Sequence, residues 1–255
     1  MPLEIVTIPC LQDNYAYLIH DAASGQTALV DVPEASPILA ELSQRGWALS
    51  EVWITHHHPD HVDGLPEVLA QHPVKVVGSK GDAHRLPPLD VAVADADNFK
   101  FGGETVQVLD MSGHTIDHIA FYLPESDAFF TADSLMVMGC GRLFEGTPAQ
   151  MYSSLQKTAE MPPQTRIYSG HEYTASNASF ATTVDPANPA LILRIEDIED
   201  KRANGLPTIP STLELERETN PFLRADNPEV QEHLNLTGAS PVEVFTEIRA
   251  LKDRF

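Results

Sequence analysis

Along the first two thirds of the chain, short apolar runs alternate with stretches whose apolar positions recur every three or four residues. Runs at Glu4–Ile8, Tyr15–Ile19 and Ala28–Asp31 predict strands, and Ser24-Gly25 predicts a hairpin between the second and third. Pro37–Arg45 predicts a helix with Ser36 as its N-cap and Gly46 as its stop. Glu51–Thr55 and Val74–Gly78 read as strands on either side of a helix at Val62–Gln71. Further strands are expected at Thr105–Asp110, Ile119–Leu123, Ala128–Thr131 and Arg166–Ser169. Thr147 caps a helix that has Pro148 at its first position. After about residue 172 the pattern turns helical. Asn188-Pro189 opens a run from Ala190 to Asn204, stopped by Gly205, and Ser240-Pro241-Val242-Glu243 opens a last helix from Pro241 to about Arg254. Strands followed by a helical tail predict two domains, residues 1–172 and 173–255.

Composition narrows the partners. The 255 residues, 42% hydrophobic and 21% charged, are those of an ordinary globular protein. Sixteen Lys and Arg against 37 Asp and Glu leave a formal net charge of -21. Nucleic acid and anionic membranes need a basic surface, so neither is an expected partner. An anionic substrate would need a local basic cluster working against this field. Met1-Pro2-Leu3-Glu4 does not open a basic segment followed by an apolar run, so no signal peptide is expected. No apolar stretch reaches the roughly 20 residues of a membrane span. A cytoplasmic monomer is the expectation. Cys10 and Cys140 could pair, but two cysteines do not make a disulfide framework, and two small buried thiols are expected.

The chemistry concentrates in Thr55-His56-His57-His58-Pro59-Asp60-His61. Extended backbone alternates its side chains, so His56 and His58 face one way and His57 the other, as a packed or supporting residue. Pro59 ends the extended run and brings Asp60 and His61 beside the first pair. Imidazole with carboxylate suits zinc, iron or manganese. A histidine-rich surface turn is the bland reading. It is disfavoured because His114, Asp133 and His171 each follow a predicted strand, as ligands on one edge of a sheet would. His118 could orient a ligand or be a structural histidine, and Asp63-Gly64 is expected to shape the helix start behind the metals.

Thr-His-x-His-x-Asp-His with a later Gly-His, Asp and Gly-His resembles the metallo-β-lactamase superfamily. Gly139-Cys140-Gly141-Arg142-Leu143-Phe144-Glu145-Gly146, Gly170-His171-Glu172-Tyr173 and Thr219-Asn220-Pro221-Phe222-Leu223-Arg224 are similar to the glyoxalase II family within it. The resemblance implies an α/β fold, an αββα sandwich forming a catalytic domain and a C-terminal helical domain binding substrate. It implies two divalent metal ions, zinc foremost with iron or manganese as alternatives. His56, His58 and His114 would hold one ion, Asp60, His61 and His171 the other, and Asp133 would bridge. Arg142, Phe144, Tyr173, Arg249 and Lys252 match positions that contact glutathione. Animal members carry lysine and tyrosine where this chain has Arg142 and Phe144, and Phe144 lacks the tyrosine hydroxyl.

The implied reaction is hydrolysis of S-D-lactoylglutathione to glutathione and D-lactate by a hydroxide shared between the ions, with Asp60 and Asp133 as the catalytic carboxylates. A thiolate leaves without a strong general acid, which suits a chain with no evident second proton donor. Three other readings compete: another metallo-β-lactamase-superfamily enzyme such as a glutathione persulfide dioxygenase, a non-catalytic metal-binding module, and, for Arg249 and Lys252, a merely solvated helix face.

Overall fold

The computed structural model describes residues 3–255. They form two compact units, one built from the chain up to Asp110 together with Asp117–Thr131, the other from Met111–Ile116 together with Ala132–Phe255.

The first unit is a β-sandwich with helices on its outer face. Strands β1 (Glu4–Cys10), β2 (Asn14–Asp21) and β3 (Gln26–Val30) pair antiparallel, the hairpin turning through Gly25 at φ 74. Helix α1 (Ala35–Arg45) then crosses to β4 (Glu51–Trp53), which lies parallel to β3 with Val30 opposite Trp53. Helices α2 (Pro59–Val62) and α3 (Leu65–Gln71) precede β5 (Lys75–Ser79) and β6 (Val91–Val93), completing a six-stranded sheet in chain order. An antiparallel meander follows: β7 (Asn98–Phe101), β8 (Glu104–Asp110), β9 (Ile119–Leu123) and β10 (Ala128–Ala132). Successive side chains of a strand point to opposite faces. Val52 therefore joins Ile38 and Leu42 of α1 and Val68 of α3 in one core. Its neighbour Trp53 turns the other way, its ring 5.3 Å from those of Phe99, Phe101 and Phe121. A sheet covered on both faces needs near-continuous apolar strands, hence the runs Ala28–Val30 and Val76–Val77.

The second unit is mostly helical. After the ribbon β11 (Leu135–Met136) and β12 (Gly139–Cys140) come α4 (Pro148–Gln156), β13 (Arg166–Ser169), α5 (Thr174–Val184), α6 (Pro189–Ala203), β14 (Ser211–Thr212), α7 (Leu213–Thr219), α8 (Pro228–His233) and α9 (Pro241–Arg254). Thr147 with Gln150, and Ser240 with Glu243, form reciprocal capping boxes. Asn188 caps α6 by accepting the N–H groups of Ala190 and Leu191. None of the helices among the described residues is long and apolar enough to cross a membrane.

Two expectations need correction. Helix α1 begins at Ala35 with Glu34 as its N-cap, so Ser36 lies inside the first turn and caps nothing. Proline is tolerated anywhere in that turn, so Pro37 did not mark the first position. The helix read over Val62–Gln71 is two helices, broken at Asp63-Gly64. A β-carbon on Gly64 would sit 2.8 Å from the Ala35 nitrogen and 3.0 Å from the Val32 carbonyl oxygen, so the backbone packs where a side chain would go. The expected role of Gly64 in shaping the helix start agrees with this approach.

Candidate metal centre

Strand β4 stops at Trp53, and the following segment runs extended to His58, which is the N-cap of α2 at φ -60, ψ 142. His56 and His58 thus project from one side, ring centroids 4.7 Å apart, while His57 turns away to bond Asp82 through Nδ1 (2.8 Å). Asp60 and His61 come from α2, and the His61 ring lies 4.2 Å from that of His56. His118, buried just before β9, stacks on His56 at 4.7 Å.

A carboxylate absent from the sequence reading organises this group. Asp31 follows β3 at φ 57, outside the usual range for a non-glycine residue, and is 3% exposed. Its Oδ1 accepts the Thr55 N–H (2.9 Å); its Oδ2 accepts the Thr55 hydroxyl and His61 Nδ1 (2.8 Å each). Because a carboxylate only accepts, His61 carries a hydrogen on Nδ1, and in the neutral ring its lone pair is then on Nε2. The Thr55 hydroxyl has given its hydrogen to Asp31, so its 3.0 Å contact with His56 Nδ1 is an acceptance, and His56 has the same tautomer. Asn14, at the start of β2, likewise holds Asp60, donating to its carbonyl and its Oδ2 at 3.1 Å each. Neither Asp31 nor Asn14 belongs to a recognisable motif. The one available signal was the end of a predicted strand, where Asp31 stands.

In the second unit His114 Nδ1 donates to the Arg142 carbonyl (2.7 Å), again freeing Nε2. Asp133 follows Ala132, which sits at φ 41, and its Oδ2 lies 3.4 Å from His114 Nε2 and 3.3 Å from His171 Nε2. Gly141 is required beside it, since a β-carbon there would fall 1.9 Å from the Asp133 carbonyl oxygen. Each predicted ligand stands just beyond a strand: β4, β8, β10 or β13. Within the first unit His56, His58, Asp60 and His61 stand together, and within the second His114, Asp133 and His171 do. Neutral imidazoles presenting Nε2 alongside carboxylates are a fitting donor set for divalent cations.

The other expected site residues also lie in the second unit. Tyr173 stacks flat on His171 at 4.8 Å, and the exposed Phe144 meets His114 edge-on at 5.3 Å. Arg142 is largely exposed and 3.5 Å from Asp253. Arg249 is 5% exposed: Nη1 donates to the Cys140 carbonyl and Nη2 to Asp253, each at 2.9 Å. Lys252 Nζ lies 3.3 Å from the Ser176 carbonyl and 5.2 Å from the ring of Phe180. Burial, and then repulsion from Arg249, pull its ammonium down to about 8. Both cysteines are buried and unpaired; burial pushes the Cys10 thiol up to about 12 and the Cys140 thiol to about 11.

The sandwich and its strand-end cluster of His and Asp define a metallo-β-lactamase-type metallohydrolase: residues 12–171 match the profile of the metallo-beta-lactamase superfamily. Residues 172–255 match the hydroxyacylglutathione hydrolase C-terminus. The hydroxyacylglutathione hydrolase of Ruegeria pomeroyi is 62% identical over 255 residues, all of both chains. The chain belongs to the hydroxyacylglutathione hydrolase family. Among solved structures, ETHE1 from Myxococcus xanthus superposes with a TM-score of 0.68 at 26% identity, covering 98% of this chain and 90% of that one. TTHA1623 in a di-iron-bound form superposes at 0.61 with 26% identity, covering 86% and 100%.

Proposed function

We propose that the chain hydrolyses S-D-lactoylglutathione to glutathione and D-lactate at a binuclear metal site. The observation that carries this reading is the full-length identity to hydroxyacylglutathione hydrolases, which takes in both the metal-ligand segments and the helical tail. His56, His58 and His114 would hold one divalent ion, Asp60, His61 and His171 the other, and Asp133 both. Zinc, iron and manganese all suit these donors, with zinc foremost. Ions so held would supply a hydroxide at neutral pH and a Lewis acid for the thioester carbonyl. Residues 1–172 form the catalytic portion and 173–255 the substrate-binding portion in this reading.

The chain's own groups do the orienting. Asp31, Thr55 and the Arg142 carbonyl keep three histidines in the tautomer that presents Nε2. Asn14 fixes the Asp60 carboxylate. Arg142 and Lys252 supply the positive charge that a substrate with two carboxylates needs in a protein of net charge -21. Arg249, with both Nη atoms engaged, acts on glutathione chiefly by holding the Cys140 backbone beside Arg142. Tyr173 and Phe144 offer ring faces to the tripeptide.

Turnover of S-D-lactoylglutathione by the purified protein, lost on chelation and restored by a divalent cation, is the expected result. A preparation holding two metals per chain that leaves this thioester intact would overturn the reading. The pH profile carries a sharper test. Lys252 is charged below about 8 and neutral above, with Arg249 and Asp253 on its own helix, the Ser176 hydroxyl on α5 and a protonated Cys140 around it. Since kcat/KM reports the free enzyme, it should fall as pH rises through 8, mainly through KM, and Lys252→Arg should abolish the fall. Lys252→Ala should raise KM roughly tenfold or more, the worth of a charged hydrogen bond. Identical profiles for wild type and Lys252→Arg would remove Lys252 from the substrate contacts.

A further inference from the structure

The segment Thr219-Asn220-Pro221-Phe222 lies about eighty positions beyond the β11–β12 ribbon, yet its side chains hold that ribbon's turn. Two residues, Val137 and Met138, join β11 to β12, and Met138 sits at φ 62, a conformation that favours glycine. Polar side chains meet four of the backbone groups around it. Glu216 Oε2 accepts the Met138 N–H (2.8 Å). Asn220 Nδ2 donates to the carbonyls of Met136 (3.2 Å) and Gly139 (3.0 Å) and to Glu216 Oε2 (3.0 Å). Asn177 Nδ2, from α5, donates to the Val137 carbonyl (3.0 Å). Glu216 and Asn220 are fully buried, and the other Glu216 oxygen pairs with Arg194, which also bonds Ser211 and Thr219. Orphaning any of these groups would be costly, so the turn has little freedom.

The ribbon runs directly into the metal centre. Its first strand starts two residues after Asp133, and the Gly141 N–H at its far end returns to the Ser134 carbonyl (3.1 Å). The next carbonyl, that of Arg142, accepts from His114 Nδ1. The position of one turn thus sets the Arg142 backbone, and with it the His114 ring and the root of the Arg142 side chain.

The geometry points to Asn220, Asn177 and Glu216 as positioning residues: by clamping the Met136–Gly139 turn they fix His114 toward its metal ion and Arg142 toward the glutathione end of the substrate. This rests on the ligand and substrate roles given above to His114 and Arg142. Asn220→Asp keeps the acceptor for the Phe222 N–H but removes both carbonyl donors and sets a second carboxylate beside Glu216. Asn177→Asp releases the Val137 carbonyl from the other side. Asp185→Asn is the control; it weakens the Arg224–Asp185 pair (2.9 Å), equally part of the helical elements, and reaches α7 only through Asn188 and the Glu218 carbonyl, not through the turn's own bonds. Titrating each metal-free protein with cobalt(II) against a chelator reads affinity and the visible band of the ion.

Both clamp variants should bind cobalt more weakly by roughly 10–100-fold, the usual effect of losing a partner behind a ligating histidine. Their bands should shift and their KM for S-D-lactoylglutathione rise. Asp185→Asn should lower the melting temperature while leaving affinity, band and KM in place. Wild-type cobalt binding in the two clamp variants overturns the proposal, as does loss of affinity that merely follows melting temperature in all three. If Asn220→Asp does not fold, Asn177→Asp decides by the same criteria. A wild-type protein that binds cobalt but leaves the thioester intact defeats the proposed activity, while the cobalt readout still decides the clamp.

Discussion

Replacing Asp133 with alanine should remove both metal ions together and lower kcat/KM by roughly 10²–10³-fold or more, the scale on which a preorganised electrostatic partner matters. Its Oδ2 lies between His114 Nε2 and His171 Nε2, at 3.4 and 3.3 Å, and those histidines are proposed to hold different ions. Without the carboxylate, two cations would face each other with no negative charge between them. The loss should therefore be joint rather than confined to one ion. Metal analysis before and after dialysis, alongside thioesterase kinetics, checks this. Retention of one ion at full occupancy in Asp133→Ala would show that Asp133 serves a single site.

Asp31→Ala should be nearly as damaging although Asp31 is not among the proposed ligands. The substitution strands the Thr55 N–H and hydroxyl and His61 Nδ1, all buried. Each unsatisfied buried group costs about 1–3 kcal/mol, so a loss of several kcal/mol is expected in chemical denaturation. It also frees the tautomers of His61 and, through Thr55, of His56. In the proposed ligand sets these two histidines serve different ions, so affinity for both should drop, by roughly 10–100-fold each. Asp31→Asn should retain part of the fold's stability but still weaken metal binding, because an amide cannot accept from all three donors in their present arrangement. Wild-type metal affinity in a folded Asp31→Asn protein would reduce Asp31 to a packing residue.

Much of this architecture is written locally. Helices α4, α6 and α9 begin where Thr147, Asn188 and Ser240 stand, because a side-chain cap and a proline in the first turn act within a few residues. The αββα expectation and the two-sheet arrangement with a helical tail agree, since buried strands advertise themselves as apolar runs. The candidate ligands stood out because several imidazoles and carboxylates at strand ends are improbable without an ion. The rest depends on partners distant in sequence. Helix α5 carries little sequence signal because Thr174–Val184 is rich in Thr, Ser and Asn, poor helix formers held here by burying Ala178, Phe180, Ala181 and Val184. Strands β6 and β7 lack long apolar runs, and β11 and β12 are two residues each. Asp31, Asn14 and Glu216 have the composition of ordinary surface residues, and only tertiary structure shows the groups they serve.

The two buried thiols bear on how the protein meets its own product. A glutathione thioesterase releases thiol at every turnover and works amid glutathione and its disulfide. Exchange with a disulfide needs a thiolate, and Cys10 and Cys140, pushed up to about 12 and about 11, are protonated at neutral pH. Cys140 is immediately followed by Gly141 and Arg142, where glutathione is proposed to bind, yet burial outweighs the Arg249 guanidinium that would otherwise favour its ionisation. The chain can thus handle a thiol metabolite without becoming a mixed disulfide with it, and its activity should not follow swings in the oxidation state of the glutathione pool.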